Sequence, residues 1–195
     1  MATIKMVNDV SVITHESFLD SLTPIAALAG WGSLKTICGT GGASAAYVNK
    51  DQLILAAHDP AITPEQSKFI LDIPSGYCIN LYEDFLVNHS EVEKQAIYYH
   101  EMGHVAFKHV PETSEVVAVT TVLDNMGYEL EADHFSAKKV GNRAMHGALI
   151  KTIDTSINIT GKVFGLLGKA FAKEVFLEAA MTNETVVARL KALAH

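Results

Sequence analysis

Two histidines four residues apart flank a glutamate in the pentapeptide His100-Glu101-Met102-Gly103-His104. Residues at this spacing share one face of an α-helix, so both imidazoles can reach a single metal ion. Glu101 beside them is the expected general base, positioned to take a proton from a water that the metal activates. The chemistry this pattern points to is hydrolysis of a peptide bond. Placing residues 100° apart around the helix puts Val92, Ala96, Gly103 and Phe107 on the side of His100 and His104, so the metal-facing side is expected to be the inward side. Gly103, between the two histidines, is read as removing bulk near the metal. His109 falls almost opposite His100 in this projection and is read as a surface residue rather than a ligand.

A catalytic zinc site needs a third protein ligand and an open position for water. The best source is Glu129-Leu130-Glu131-Ala132-Asp133. Glu129 and Asp133 are one helical turn apart and share a face with Ala132, Ser136 and Val140, whereas Glu131 points away. Glu129 is the expected third ligand. Asp133 is expected to accept the free ring N–H of a ligating histidine and so fix its orientation.

The elements that must hold these residues can be read locally. Ser90, with Glu93 three positions on, makes a capping box that opens a helix expected to run to about Val110, before Pro111. Tyr128 to Val140 reads as a helix closed by Gly141, after a preceding helix broken at Gly127. Helices are also expected at Ser17–Ala29, from Thr63 to about Leu71, and over Ala144–Asp154, Phe164–Glu178 and Asn183–Ala194. Ile4–Thr14 and Tyr77–Leu81 read as strands. Tyr47–Ala57 reads as one or two short strands with Asn49-Lys50-Asp51 as a hairpin turn. The glycine-rich run Cys38–Ser44 lacks the Gly-Lys-Ser/Thr ending of a phosphate loop and reads as a flexible turn.

Composition narrows the class further. The 195 residues suit a single domain with a core of useful size, and 49% of them are apolar. A net charge of −7 without a basic stripe argues against nucleic acid as a partner. The most apolar stretch, Val163–Ala180, contains Lys169, Lys173, Glu174 and Glu178, so no membrane span is expected. Met1–Val12 lacks the basic start and apolar run of a signal peptide. Cys38 and Cys78 fit neither a disulfide framework nor a thiolate metal site, and a reducing cytoplasm is the expected compartment.

The segment Tyr77-Cys-Ile-Asn-Leu-Tyr-Glu-Asp-Phe-Leu86, followed by the capped helix with His100-Glu-Met-Gly-His-Val-Ala-Phe-Lys-His109, resembles the catalytic core of gluzincin metallopeptidases. It is most similar to the CAAX prenyl protease / heat-shock membrane peptidase family. That family's later Glu-x-x-Ala-Asp-x-x-Ala helix, which supplies its third ligand, is read here as Glu129-Leu-Glu-Ala-Asp133-His-Phe-Ser-Ala137. Gly141, Ala148-Leu149, Arg189-Leu190 and Leu193 echo its closing segment. The resemblance covers roughly residues 75–195 and implies a zinc site of His100, His104 and Glu129 with Glu101 as base. Members usually insert membrane helices between the two motifs, where this chain has only a short connection. The His-Pro dipeptide that the family places before the terminal arginine, associated with the substrate-side electrophile, is replaced by Thr182-Asn183. His146, Tyr98 and Tyr99 are the possible substitutes. The His-Glu-x-Gly-His helix and Glu129-x-Glu131-Ala132 with Phe135 are also similar to prophage regulators that cleave or bind repressors.

The expectation is therefore an α+β, zincin-like fold, mainly helical, with a small sheet on the N-terminal side and an active-site helix carrying the pentapeptide. A single domain spans 1–195, with 1–74 of unassigned role and 75–195 as the catalytic core. The expected function is zinc-dependent endopeptidase action on a peptide or protein substrate, which would pair with the strand near Cys78-Ile79-Asn80. The alternative is a zincin-fold regulator with weak or no proteolysis.

Overall fold

The computed structural model describes residues 2–16, 43–58, 60, 63–110, 112, 122–163 and 183–194. The architecture is α+β, a small mixed sheet backed by helices. Strands β1 (Thr3–Val7), β2 (Val10–His15), β3 (Ala43–Val48) and β4 (Gly76–Tyr82) lie in the order β1-β2-β4-β3. The helices are α1 (Lys50–Ala57), α2 (Pro64–Asp72), the single turn α3 (Glu83–Leu86), α4 (Glu91–Ala106), α5 (Val122–Val140), α6 (Asn142–Val163) and α7 (Glu184–Leu193). The expected helices at 17–29 and 164–178 and the segment 38–42 lie outside the described residues, as does Cys38. Ala43 and Ser44, read as part of a flexible turn, instead begin β3.

The expected strand Ile4–Thr14 is a hairpin, turned at Asn8 and Asp9, both at positive φ. Asparagine and aspartate tolerate this left-handed conformation better than other side chains do. β4 pairs in parallel with β2 (Ser11 opposite Cys78) and antiparallel with β3 (Ala45 opposite Ile79). Both its edges are taken, so an extended peptide cannot add at Cys78-Ile79-Asn80 as the sequence suggested. Among the described residues the free edge nearest the helices is β3. The N-terminal region thus supplies three of the four strands.

The reading of Tyr47–Ala57 as strands is corrected beyond Val48. Asn49 caps a helix, its side chain accepting from the Gln52 N–H at 2.8 Å while Gln52 accepts from the Asn49 N–H at 3.0 Å. An Asn-Lys-Asp run signals a turn and a helix start alike, and here the reciprocal cap with Gln52 decides. Leu53, Ala56 and Ala57 then fall on one buried face. With Ile13, Val48, Ile70, Ile73 and Cys78 they form the core on one side of the sheet. On the other side Leu81 and Ala43 meet Ala96, Ile97, Ala137, Met145, Ala148, Leu149 and Leu193 from the longer helices.

Ser90 opens α4 as expected, with its N–H and hydroxyl both donating to Glu93 Oε2 at 2.7 Å. α4 stops at Ala106, short of the expected Val110. α5 runs through Gly127 without a break, and Gly141, at φ +92°, separates it from α6. No helix among the described residues is long and apolar enough to cross a membrane.

Candidate metal centre

Two close contacts bring α4 and α5 together. A Cβ built on Gly103 would stand 2.9 Å from Ala132 Cα, so the glycine permits a helix–helix approach that no larger residue allows. The Gly103 role is therefore corrected: its missing side chain makes room for α5 and not for a metal. One turn further along α5, the buried Ser136 hydroxyl donates to the Ala96 carbonyl at 2.7 Å. These contacts fix both the separation and the register of the two helices, and they set Glu129 opposite His100 and His104.

His100 Nε2 and His104 Nε2 are 3.1 Å apart. Glu129 Oε2 lies 3.4 Å from His100 Nε2, and Glu129 Oε1 lies 3.6 Å from His104 Nε2. Bonds of about 2.0–2.1 Å in a tetrahedral site set donor atoms roughly 3.3–3.4 Å apart, so the three separations suit one ion. Among the described residues, His100, His104 and Glu129 form a partly buried cluster whose ligand atoms all lie within 4.8 Å of one another and could hold a metal ion.

The surrounding charges fit the same conclusion. Burial opposes charge on His100, but hydrogen bonds to Asp133 and Glu129 outweigh it and push the imidazole up to about 10. The pocket thus favours positive charge where the ligand atoms converge. Burial and the neighbouring His100 push His104 down to about 3, which keeps it neutral with a lone pair to give. Burial alone would raise Glu129, yet Arg189, His100 and His104 hold its carboxyl below the usual carboxylate range.

Asp133 Oδ1 lies 2.8 Å from His100 Nδ1, where the sequence reading wanted a carboxylate. Asp133 is also gripped by Arg189, from Nε to Oδ2 at 2.7 Å and from Nη2 to Oδ1 at 2.8 Å. Arg189 is itself only 2% exposed, and its Nη1 stands 2.7 Å from Glu129 Oε2. A buried charge of this kind is tolerable only when paired and hydrogen-bonded, and Arg189 is engaged on both carboxylates. Sequence reading noted Arg189 only as an echo of a family pattern. No local signal reveals its role, because its partners lie on α5, more than fifty residues earlier.

Glu101 is 8% exposed. Burial raises its carboxyl to about 7, against the opposing pull of His100 and a hydrogen bond from the Ala45 backbone N–H of β3. A small cavity of about 20 Å³, lined by Ile97, His100, Glu101, Met145, Leu149, Thr152 and Arg189, adjoins this carboxylate. It is large enough for one water molecule.

His109 is placed differently from the sequence projection. Because α4 ends at Ala106 and Lys108 turns to φ +58°, His109 folds back over the helix end. Its Nδ1 lies 3.1 Å from His104 Nδ1 and its Nε2 is 2.9 Å from Glu131 Oε2. The helical phase that put His109 on the far side does not extend past the end of the helix.

No protein-family model matches the chain, and comparison with curated proteins and with solved structures finds no match.

Proposed function

We propose that the chain is a zinc-dependent endopeptidase of zincin-like fold and gluzincin ligand set, with His100, His104 and Glu129 holding Zn²⁺. The observation that carries this reading is the convergence of two imidazole nitrogens and a carboxylate at 3.1, 3.4 and 3.6 Å from one another. The adjoining Glu101 extends it from a metal site to a hydrolytic one. Zinc supplies a Lewis acid that polarises the scissile carbonyl and lowers the pKa of water to about 7.

The remaining work belongs to the side chains. Glu101 accepts a proton from the attacking water and delivers it to the nitrogen of the leaving amine, while the water oxygen bonds to the carbonyl carbon and the C–N bond breaks. Asp133 orients His100, and Arg189 holds Asp133 and Glu129 in place. An extended peptide or protein segment would pair by strand addition with the edge of β3 that no described strand covers, beside the Ala45 N–H that Glu101 takes.

A second reading, a zincin-fold regulator that binds a partner without cleaving it, has one observation in its favour. The Arg189 guanidinium, which lines the cavity beside Glu101, is already engaged with Asp133 and Glu129. One experiment separates the readings: metal analysis of the purified protein alongside a casein digest, with wild type and Glu101→Gln in parallel. Endopeptidase action requires zinc in both proteins, with cleavage falling by about 10²–10⁴-fold in the variant. Wild-type protein that carries zinc and leaves casein intact supports the regulator. Cleavage by Glu101→Gln at the wild-type rate overturns the assigned mechanism.

A further inference from the structure

We propose that His109 and Glu131 form a positioning relay that presets His104 for metal binding; the inference rests on the metal-centre reading above. The geometry comes from the end of α4. The His109 N–H donates to the His104 carbonyl at 2.9 Å and the Lys108 N–H to the Val105 carbonyl at 3.1 Å. This pair of bonds around a left-handed residue is the Schellman closure of a helix. It is made here with lysine rather than glycine at the left-handed position, a conformation that L side chains rarely adopt. The closure lays the ring of His109 against that of His104, with centroids 5.2 Å apart. On its other face His109 stacks on Tyr128 of α5, at 4.2 Å and 17°. Its side chain is left only 4% exposed, while Glu131 at the outer end is 61% exposed.

Hydrogen-bond logic then fixes the protons. The Glu131 carboxylate can only accept, so His109 Nε2, 2.9 Å away, must carry the hydrogen. In the neutral form of His109 the lone pair then falls on Nδ1, and across the 3.1 Å contact with His104 Nδ1 it is His104 that donates. A neutral His104 that donates from Nδ1 keeps its lone pair on Nε2, the atom that faces His100 and Glu129. Asp133 Oδ1 stands 2.8 Å from His100 Nδ1, so its charge favours a proton on that nitrogen. Each histidine of the cluster is thus oriented by a carboxylate, one by contact and the other through a second imidazole. His109 and Glu131 touch neither metal nor substrate, and act only through His104.

The test reads tautomers in metal-free protein and Zn²⁺ affinity by competition with a chromophoric chelator. Long-range ¹H–¹⁵N spectra of histidine-labelled wild type at pH 8 are expected to show His104 as the Nδ1–H tautomer and His109 as the Nε2–H tautomer. His109→Phe keeps a ring to stack on Tyr128 but removes the acceptor. Zn²⁺ affinity is expected to fall about 10–100-fold with the thermal transition unchanged, and His104 to lose its tautomer preference. Glu131→Ala, on the surface, should shift affinity in the same direction without risk to folding. His109→Gln, which offers one acceptor and one donor, should restore part of the loss. A wild-type His104 carrying its proton on Nε2 overturns the relay, as does wild-type affinity in both His109→Phe and Glu131→Ala. If wild type binds no Zn²⁺, the metal reading fails, and the tautomer spectrum still decides the relay by itself.

Discussion

Arg189 Nη1 lies 2.7 Å from Glu129 Oε2, so a guanidinium from the last helix fixes a carboxylate of the candidate metal cluster. The same group grips Asp133 with two further nitrogens, and Asp133 in turn stands against His100. α7, α5 and α4 are thereby joined through charge at the point where the ligand atoms meet. This planar, three-nitrogen engagement suits arginine and not lysine.

Arg189→Leu should destabilise metal-free protein by about 3–5 kcal/mol, because Asp133 and Glu129 lose the charge that balances them in a buried place. Urea denaturation measures the change. Arg189→Lys should recover only part of it, and an unchanged midpoint in Arg189→Leu would show that the carboxylates do not need this partner.

Glu129→Ala should lose most Zn²⁺ on dialysis, since it removes a ligand atom. Asp133→Asn, which keeps the size and removes the charge, should weaken binding by only about 10–100-fold. Metal content and chelator competition give the order; equal retention by Glu129→Ala and wild type would remove Glu129 from the cluster.

Gly103→Ala tests the approach of α4 and α5. At an unobstructed helical position the change would stabilise by up to about 1 kcal/mol. Here the new methyl would stand 2.9 Å from Ala132 Cα, and overpacking of this kind costs about 1–3 kcal/mol. A lower melting temperature together with weaker Zn²⁺ binding is expected, because α5 carries Glu129 away from the histidines. A raised melting temperature would show that the helices are free to separate.

Glu93 predicts a pH dependence located away from the metal centre. Burial would raise its carboxyl, but hydrogen bonds from Lys151 and Ser90 outweigh this and lower it from 4.5 to about 2. A carboxylate whose folded value is depressed contributes stability that is fully present above 4.5 and is lost as the pH falls toward 2. Thermal melts across this window should therefore show a steeper decline for wild type than for Glu93→Gln. Parallel curves would mean that the Lys151 contact at 2.6 Å adds nothing.

Features fixed by neighbours in sequence were legible without the structure. The capping boxes at Thr63 and Ser90 mark helix starts, and the four-residue spacings of His100/His104 and Glu129/Asp133 put each pair on one face. Legibility ends where a partner is distant or a helix stops. Arg189 and the Ala45 N–H reach the cluster only through tertiary packing. His109 was misplaced because a projection assumes a continuing helix, and Lys108 ends it in a conformation that lysine rarely adopts. At Asn49 the error was one of competing local signals, since the same three residues can open a helix or turn a hairpin.

The place of β4 between β2 and β3 bears on the order in which the chain assembles. A strand that inserts between two earlier ones, parallel to a partner far back in sequence, closes a long loop and forms its ladder late. α4 follows soon after β4, and Glu101 takes its backbone hydrogen bond from β3 on the far side of that ladder. Glu101, the base of the proposed mechanism, therefore takes this hydrogen bond only once β3 is in its place in the sheet. On the endopeptidase reading, a partly folded chain would hold its histidines without a seated base, and its own exposed segments would be spared from cleavage until folding has hidden them.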